Sequence, residues 1–312
     1  MQLPALATWA WIPIVVFAAL FQTVRNAAQR SLVTELGTLS ATLVRFLYGL
    51  PFAGLWLWAV LAWLPTGSTM PSFNVSYGAW LAVGAIAQIL ATAFLLLAVA
   101  QRNFVIGVAL AKTEVLQAGL LGSVLLLEIP GLWSALAMLS ASVGVMLLAL
   151  PASGQRVIAD GIKQSGFGKA AFAGLVSGAC FALASVGYRG AALTQPDVSP
   201  WLVGATGVFL AQILQTVLLG GWIAWREPGR WYLIVKAWRL SGVAGAMGAM
   251  ASIGWFTGFA LRPVADIKTL GLIEVLFSYA VSRKLFDESL SRRERWGLVL
   301  VTLGLIVICA QL

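Results

Sequence analysis

By pattern, this sequence specifies an all-α integral membrane protein of about ten transmembrane helices, built as two inverted five-helix repeats. Composition gives the class. Of 312 residues, 60% are hydrophobic and 10% charged, where a soluble domain carries about 25% charged residues. Spacing gives the helices. Apolar runs of roughly 20 residues recur along the whole length, and they are continuous rather than alternating, which excludes a β-barrel. Recurring landmarks give the duplication. Arg102, Glu114, Glu128 and Gly144 return as Arg262, Glu274, Glu288 and Gly304, each 160 residues on, and both central glutamates are followed by Val-Leu.

The spans are expected near residues 8–29, 39–63, 77–100, 104–127 and 131–150, then 170–193, 200–225, 240–261, 264–286 and 296–310. Residues 1–150 form the first unit and 170–312 the second, with a polar linker over 151–169. Five spans per unit is an odd number, so a duplicated unit must insert its copies in opposite orientations, about an axis in the membrane plane. The opening hairpins repeat more weakly: Phe17-Ala18 matches Phe181-Ala182, and Arg25 with Ala27-Ala28 matches Arg189 with Ala191-Ala192. The first 30 residues read as a span that inserts directly, because Met1-Gln2-Leu3-Pro4 lacks the basic side chain of a signal peptide.

Charge and composition remove several function classes. The net charge is +9, but the basic residues cluster in short loops, where they orient a membrane protein near anionic headgroups. Nucleic acid is therefore not an expected partner. There is no histidine, and the two cysteines, Cys180 and Cys309, lie in apolar runs. A disulfide framework, a His-based metal site and a Ser-His or Cys-His nucleophile are thereby excluded. A Walker motif is also missing. Many of the 14 tryptophans, such as Trp56, Trp58, Trp222 and Trp225, fall near span ends and read as an interfacial belt.

Functional residues are sought among the polar groups inside apolar runs, since an intramembrane acid is costly and usually functional. Glu114 stands about 18 Å from Arg102 and about 21 Å from Glu128 by helical rise, near the bilayer midplane. Glu274 holds the related place in the ninth span. One or both are expected to titrate, coupling proton movement to a substrate, or to bind a cationic group. The plainer reading is a structural ion pair, for example with Lys112 or Arg25. Lys112 lies about 200° around a continuous helix from Glu114, so the two are not expected to face one cavity. Gln117, with Ala111, Ala118 and Leu121, shares the Glu114 face. Gln22, Arg25, Asn26 and Gln29 form a polar stripe at i, i+3, i+4 and i+7, which must face protein or water. Arg25 is either a carboxylate donor or a side chain that snorkels to the interface, and Arg45 is expected to snorkel. Gln88, Tyr188, Trp255 and Ser278 are further wall candidates, with helix packing the default for each.

On these residues the chain resembles the EamA-type domain of the drug/metabolite transporter superfamily. Leu43-Val44-Arg45-Phe46-Leu47 is similar to that family's Arg-Phe-Leu element, and Ala98-Val99-Ala100-Gln101-Arg102 to the close of its third span. The joins at Glu128 and at Asp287-Glu288 resemble its Gly-Glu turn, with Leu127 and Asp287 standing where the family has glycine. The proline usual in the fourth and ninth spans is missing. The resemblance implies cytoplasmic termini. Loops after even-numbered spans carry only Arg189 and Arg262, and this charge count puts the termini on the other side.

The expectation is a secondary transporter working by alternating access. Its substrate would be a small polar organic metabolite, an amino acid or related compound, moved with or against protons. A zwitterion or anion is favoured, since both signs of charge lie near the midplane. The location expected is a bacterial inner membrane, and the partners are the small-molecule substrate and membrane lipid, with a homodimer left open. No catalytic residue, metal or cofactor is expected. A channel, a non-transporting scaffold and a lipid-modifying membrane enzyme are the alternatives. Glu114→Gln or Glu274→Gln is expected to abolish or uncouple proton-linked transport while folded protein stays in the membrane.

Overall fold

A computed structural model describes residues 9–65, 67–100, 104–149, 165–277 and 291–311. Every regular element among them is a helix: α1 (Trp11–Leu47), α2 (Leu50–Trp63), α3 (Val75–Val99), α4 (Phe104–Ala111), α5 (Glu114–Leu125), α6 (Leu132–Ala149), α7 (Ser165–Leu193), α8 (Pro200–Arg226), α9 (Arg230–Lys236), α10 (Trp238–Leu261), α11 (Val264–Gly271) and α12 (Arg292–Cys309). Residues 273–277 are also helical. Arg102, Ser278, Glu288 and linker residues 151–164 lie outside the described residues.

Among the described residues, seven helical stretches have the length and apolarity of a membrane span, so the chain is a multi-pass membrane protein. The first of them, Trp11–Trp63, is 53 residues long and takes in both of the first two expected spans. It bends at Gly37, whose φ of 75° and ψ of 170° leave the helical region. Glycine carries that conformation without steric cost, and Arg230 Nη1 donates to the Leu36 carbonyl at 3.2 Å beside the break. The expected tenth span, α12, opens with Arg292, Arg293, Glu294 and Arg295, charges that take its first turn out of the apolar class. Its start is fixed by a capping box in which the Glu294 amide donates to Ser291 Oγ and the Ser291 amide to the Glu294 carboxylate.

Packing divides the chain into two compact units. One comprises Met1–Ile89 with Leu183–Pro263, the other Leu90–Ala182 with Val264–Leu312. In the first unit α1 lies along α10 and α8. The α2–α8 seam is an apolar cluster that includes Val60, Val198, Leu202, Val203 and Ala205.

In the second unit α6 packs along α12 with backbones in contact, as small residues permit. A Cβ added to Gly144 would stand 2.7 Å from the Gly297 carbonyl oxygen, and one added to Gly304 would stand 2.6 Å from that of Ala137. Ser140 Oγ donates to the Leu300 carbonyl at 2.9 Å. Gly144 and Gly304, Ala137 and Gly297, and Ser140 and Leu300 are each 160 positions apart. A shift by that offset therefore maps this set of contacts onto itself, as a two-fold relation requires.

The Glu128 turn keeps glycine geometry without glycine. Leu127 has φ of 58°, and beyond it the Glu128 amide bonds back to the Gly122 carbonyl at 3.2 Å.

Candidate functional site

The second unit holds the buried acids, and it holds them at helix breaks. After Ala111 the helix is interrupted at Lys112 and Thr113, and after Gly271 at Leu272. Both breaks are made by the same tight turn. The Lys112 amide bonds to the Ala109 carbonyl at 3.1 Å, and the Leu272 amide to the Thr269 carbonyl at 3.1 Å. One step on, Val115 bonds to the Lys112 carbonyl and Val275 to the Leu272 carbonyl. These too are positions 160 apart. Neither break contains proline. At the first, Thr113 Oγ1 donates to the Leu110 carbonyl (2.6 Å) and accepts from Gln117 Nε2 (2.8 Å). Gln117 therefore secures the turn.

Four charges converge on the two breaks. Lys112 Nζ pairs with Glu274 Oε1, and Lys268 Nζ pairs with Glu114 Oε1 at 3.2 Å. The pairing is crossed: each interrupted helix gives one ammonium and one carboxylate, and each finds its partner on the other. Helix dipoles reinforce the arrangement. Glu114 opens α5 and Glu274 lies at the start of helical residues 273–277, where free amides favour an anion. Lys112 follows the end of α4 and Lys268 sits in the last turn of α11, where carbonyls favour a cation. The Glu114, Glu274 and Lys268 side chains are buried, and that of Lys112 is 21% exposed.

Two sequence expectations are corrected here. The 200° separation of Lys112 from Glu114 presumed an unbroken helix, and the break removes it. Ala111, Glu114 and Gln117 still border one position: a Cβ added to Gly178 would stand 3.0 Å from the Ala111 carbonyl oxygen and 3.3 Å from both the Glu114 amide and Gln117 Nε2. The partner of Glu114 is Lys268, which was not singled out although it too is a charge inside an apolar run.

The first unit holds a different polar cluster. On α1, Asn26 Oδ1 accepts from Arg25 Nη2 at 2.6 Å, Gln29 Nε2 donates to the Ala41 carbonyl at 2.9 Å, and Gln22 Oε1 accepts from Trp255 Nε1 at 3.0 Å. The predicted stripe thus faces protein. Arg25 and Arg45 are each 2% exposed, so neither snorkels. Both flank Gly248 of α10, where an added Cβ would stand 3.1 Å from Arg45 Cγ and 3.3 Å from Arg25 Cδ. On α3, α7 and α8 of the same unit a second polar network forms. Gln88 Oε1 accepts from Tyr188 Oη (2.9 Å) and from Gln215 Nε2 (2.7 Å), and the same Gln215 nitrogen donates to Tyr188 Oη at 3.2 Å. The Tyr188 ring lies 4.0 Å from that of Phe256, centroid to centroid. Gln215 was missed because a lone glutamine gives no periodic signal. Three acids belong to this unit, Glu35, Asp197 and Glu227, and all are exposed.

No protein-family model matches the chain, and no curated protein does. Among solved structures it is similar to one described as "Crystal structure of protein", with a TM-score of 0.65 at 16% identity over 96% of each chain. That likeness extends over nearly the whole fold and concerns the fold alone.

Proposed function

We propose that the chain is a secondary transporter of a small anionic or zwitterionic metabolite, an amino acid or related compound, working by alternating access. In this reading it has ten spans in two inverted five-helix repeats and belongs with the EamA-type drug/metabolite transporters in a bacterial inner membrane. The observation that carries the proposal is the crossed pair of buried salt bridges at two matching helix breaks. Broken helices with charged groups at their ends are the usual construction of a transporter site, and buried ion pairs are a weak device for stability alone. The self-mapping contacts of α6 with α12 support the duplication.

Each group then has a role. Arg25 and Arg45 attract the carboxylate of the substrate, with Gln22 and Trp255 fixing neighbouring wall. Glu114 and Glu274 release their lysines when a proton takes the lysine's place. Re-pairing then resets the carrier. The roles of Gln88 and Tyr188 are to hold the α3–α7–α8 wall in shape.

The test begins with a thermal-shift screen of purified protein against a metabolite library, since a ligand of the native state raises its stability by mass action. The binder found is then followed into proteoliposomes. Saturable uptake by wild type, lost in Glu274→Gln with the protein still folded, supports the carrier reading. Large ion currents would make the chain a channel, and uptake indifferent to both Glu114→Gln and Glu274→Gln would remove the acids from the mechanism.

A further inference from the structure

Beside the Lys112–Glu274 pair, within the second unit, lies a cleft of about 190 Å³. Its walls come from the first break and from α5, α6 and α12. They are apolar along Leu116, Leu139, Val143 and Met146, and charged at two points, Lys112 and Arg293. Among the described residues, no lining residue is acidic. Leu139 is 50% and Val143 51% exposed, so the apolar wall opens on the face that a bilayer covers. Ser142 also lines the cleft and is only 6% exposed. Its hydroxyl has no hydrogen-bond partner among the described residues.

We propose that this cleft is a binding site for one anionic phospholipid. The volume is of the order of the ~150 Å³ apolar cavity that admits a benzene ring, enough for a segment of one acyl chain and too small for a whole lipid. The rest of the lipid stays in the bilayer. Arg293 takes the phosphate, in the forked geometry that suits a guanidinium. Its neighbours Arg292 and Arg295 on the first turn of α12 are exposed and add to the positive field at that end. Basic pockets between membrane helices recognise lipid headgroups by this combination of cation and apolar wall. The Ser142 hydroxyl donates to an ester or glycerol oxygen, which satisfies a buried polar group that otherwise costs free energy. The capping box at Ser291 and Glu294 fixes the helix start that carries Arg293. The proposal stands whether or not the chain transports anything. If it does, the occupant would touch Lys112, one of the four paired charges, and the lipid composition of the membrane would tune the carrier.

The test uses the full chain in neutral detergent, with native mass spectrometry and thermal unfolding as the two readouts. The probes are phosphatidylglycerol and phosphatidylcholine of identical acyl chains, and inorganic phosphate alone. Wild type is expected to retain one phosphatidylglycerol per chain and to unfold several degrees higher with it, with a clearly smaller effect from phosphatidylcholine. Arg293→Gln is expected to erase the difference between the two lipids, and Ser142→Ala to weaken retention of both by a few-fold. The unfolding temperature of Arg293→Gln without lipid reports that it is folded. Equal retention of the two lipids by wild type overturns the proposal. So does an unchanged preference in Arg293→Gln, or stabilisation by inorganic phosphate equal to that by phosphatidylglycerol.

Discussion

The two compact units bury charge in opposite ways. In the first, the buried charges among the described residues are Arg25 and Arg45, both positive, and the acids of that unit are on its surface. In the second, Glu114, Glu274 and Lys268 are buried and Lys112 is half-buried, and the four form two crossed pairs. Burying an ion costs several kcal/mol even after relaxation. The second unit offsets that cost internally, with opposite charges and helix ends. The first buries two like charges, with the Asn26 amide oxygen as one partner of Arg25. A self-neutral cluster suits a switch that must hold in two states.

The largest effect expected from this contrast is in the second unit. Glu114→Gln leaves Lys268 buried without its counter-charge and should lower stability by about 3 kcal/mol. Combining it with Lys268→Met should restore most of the loss, as read by chemical unfolding in detergent. If the double variant is no more stable than the single one, the pair is not a coupled unit. In the first unit the sign should reverse. Arg45→Met removes one of two like charges and should leave stability unchanged or raise it by up to about 1 kcal/mol, while abolishing the response to an anionic substrate in the thermal-shift screen. A loss of several kcal/mol would instead mean that Arg45 is a structural cation. Tyr188→Phe deletes the hydroxyl shared by Gln88 and Gln215 and should cost about 1 kcal/mol, measured in the same unfolding assay. The smallest effect lies outside both clusters. Leu127→Gly relieves a left-handed backbone at an exposed site, and after the added freedom of the unfolded glycine it should add about 0.5 kcal/mol, seen as a small upward shift of the unfolding midpoint.

Much of the fold was legible in the sequence, because hydrophobic runs of bilayer length have few other uses. The inward stripe of α1 was legible for the same reason: four polar groups on one helical face cannot meet lipid. The burial of Glu114 and Glu274 followed from their central place in apolar runs. Their partners did not. Ala111-Lys112-Thr113-Glu114 contains neither proline nor glycine, so nothing local announces the break. The interruption is held by a threonine, a glutamine and ion pairs to residues more than 150 positions away. Lys268 needed the rule already applied to the glutamates. The depth of Arg45 could not be read from its position in a span, because snorkelling depends on which neighbours stand between the side chain and the surface. Leu127 shows the converse: a left-handed turn stands on a residue type that does not favour it.

The most direct test of the account exchanges charges rather than removing them. Glu114→Lys combined with Lys268→Glu rebuilds the ion pair but places each charge at the wrong helix end, against the dipole. Uptake of the screened binder is measured in proteoliposomes with wild type and the exchanged variant, each shown to be folded by its unfolding midpoint. The account predicts saturable uptake by wild type and its loss in the exchanged variant, with the midpoint largely kept. Wild-type rates in the exchanged variant would contradict it, because the pair would then be a strut and not a switch.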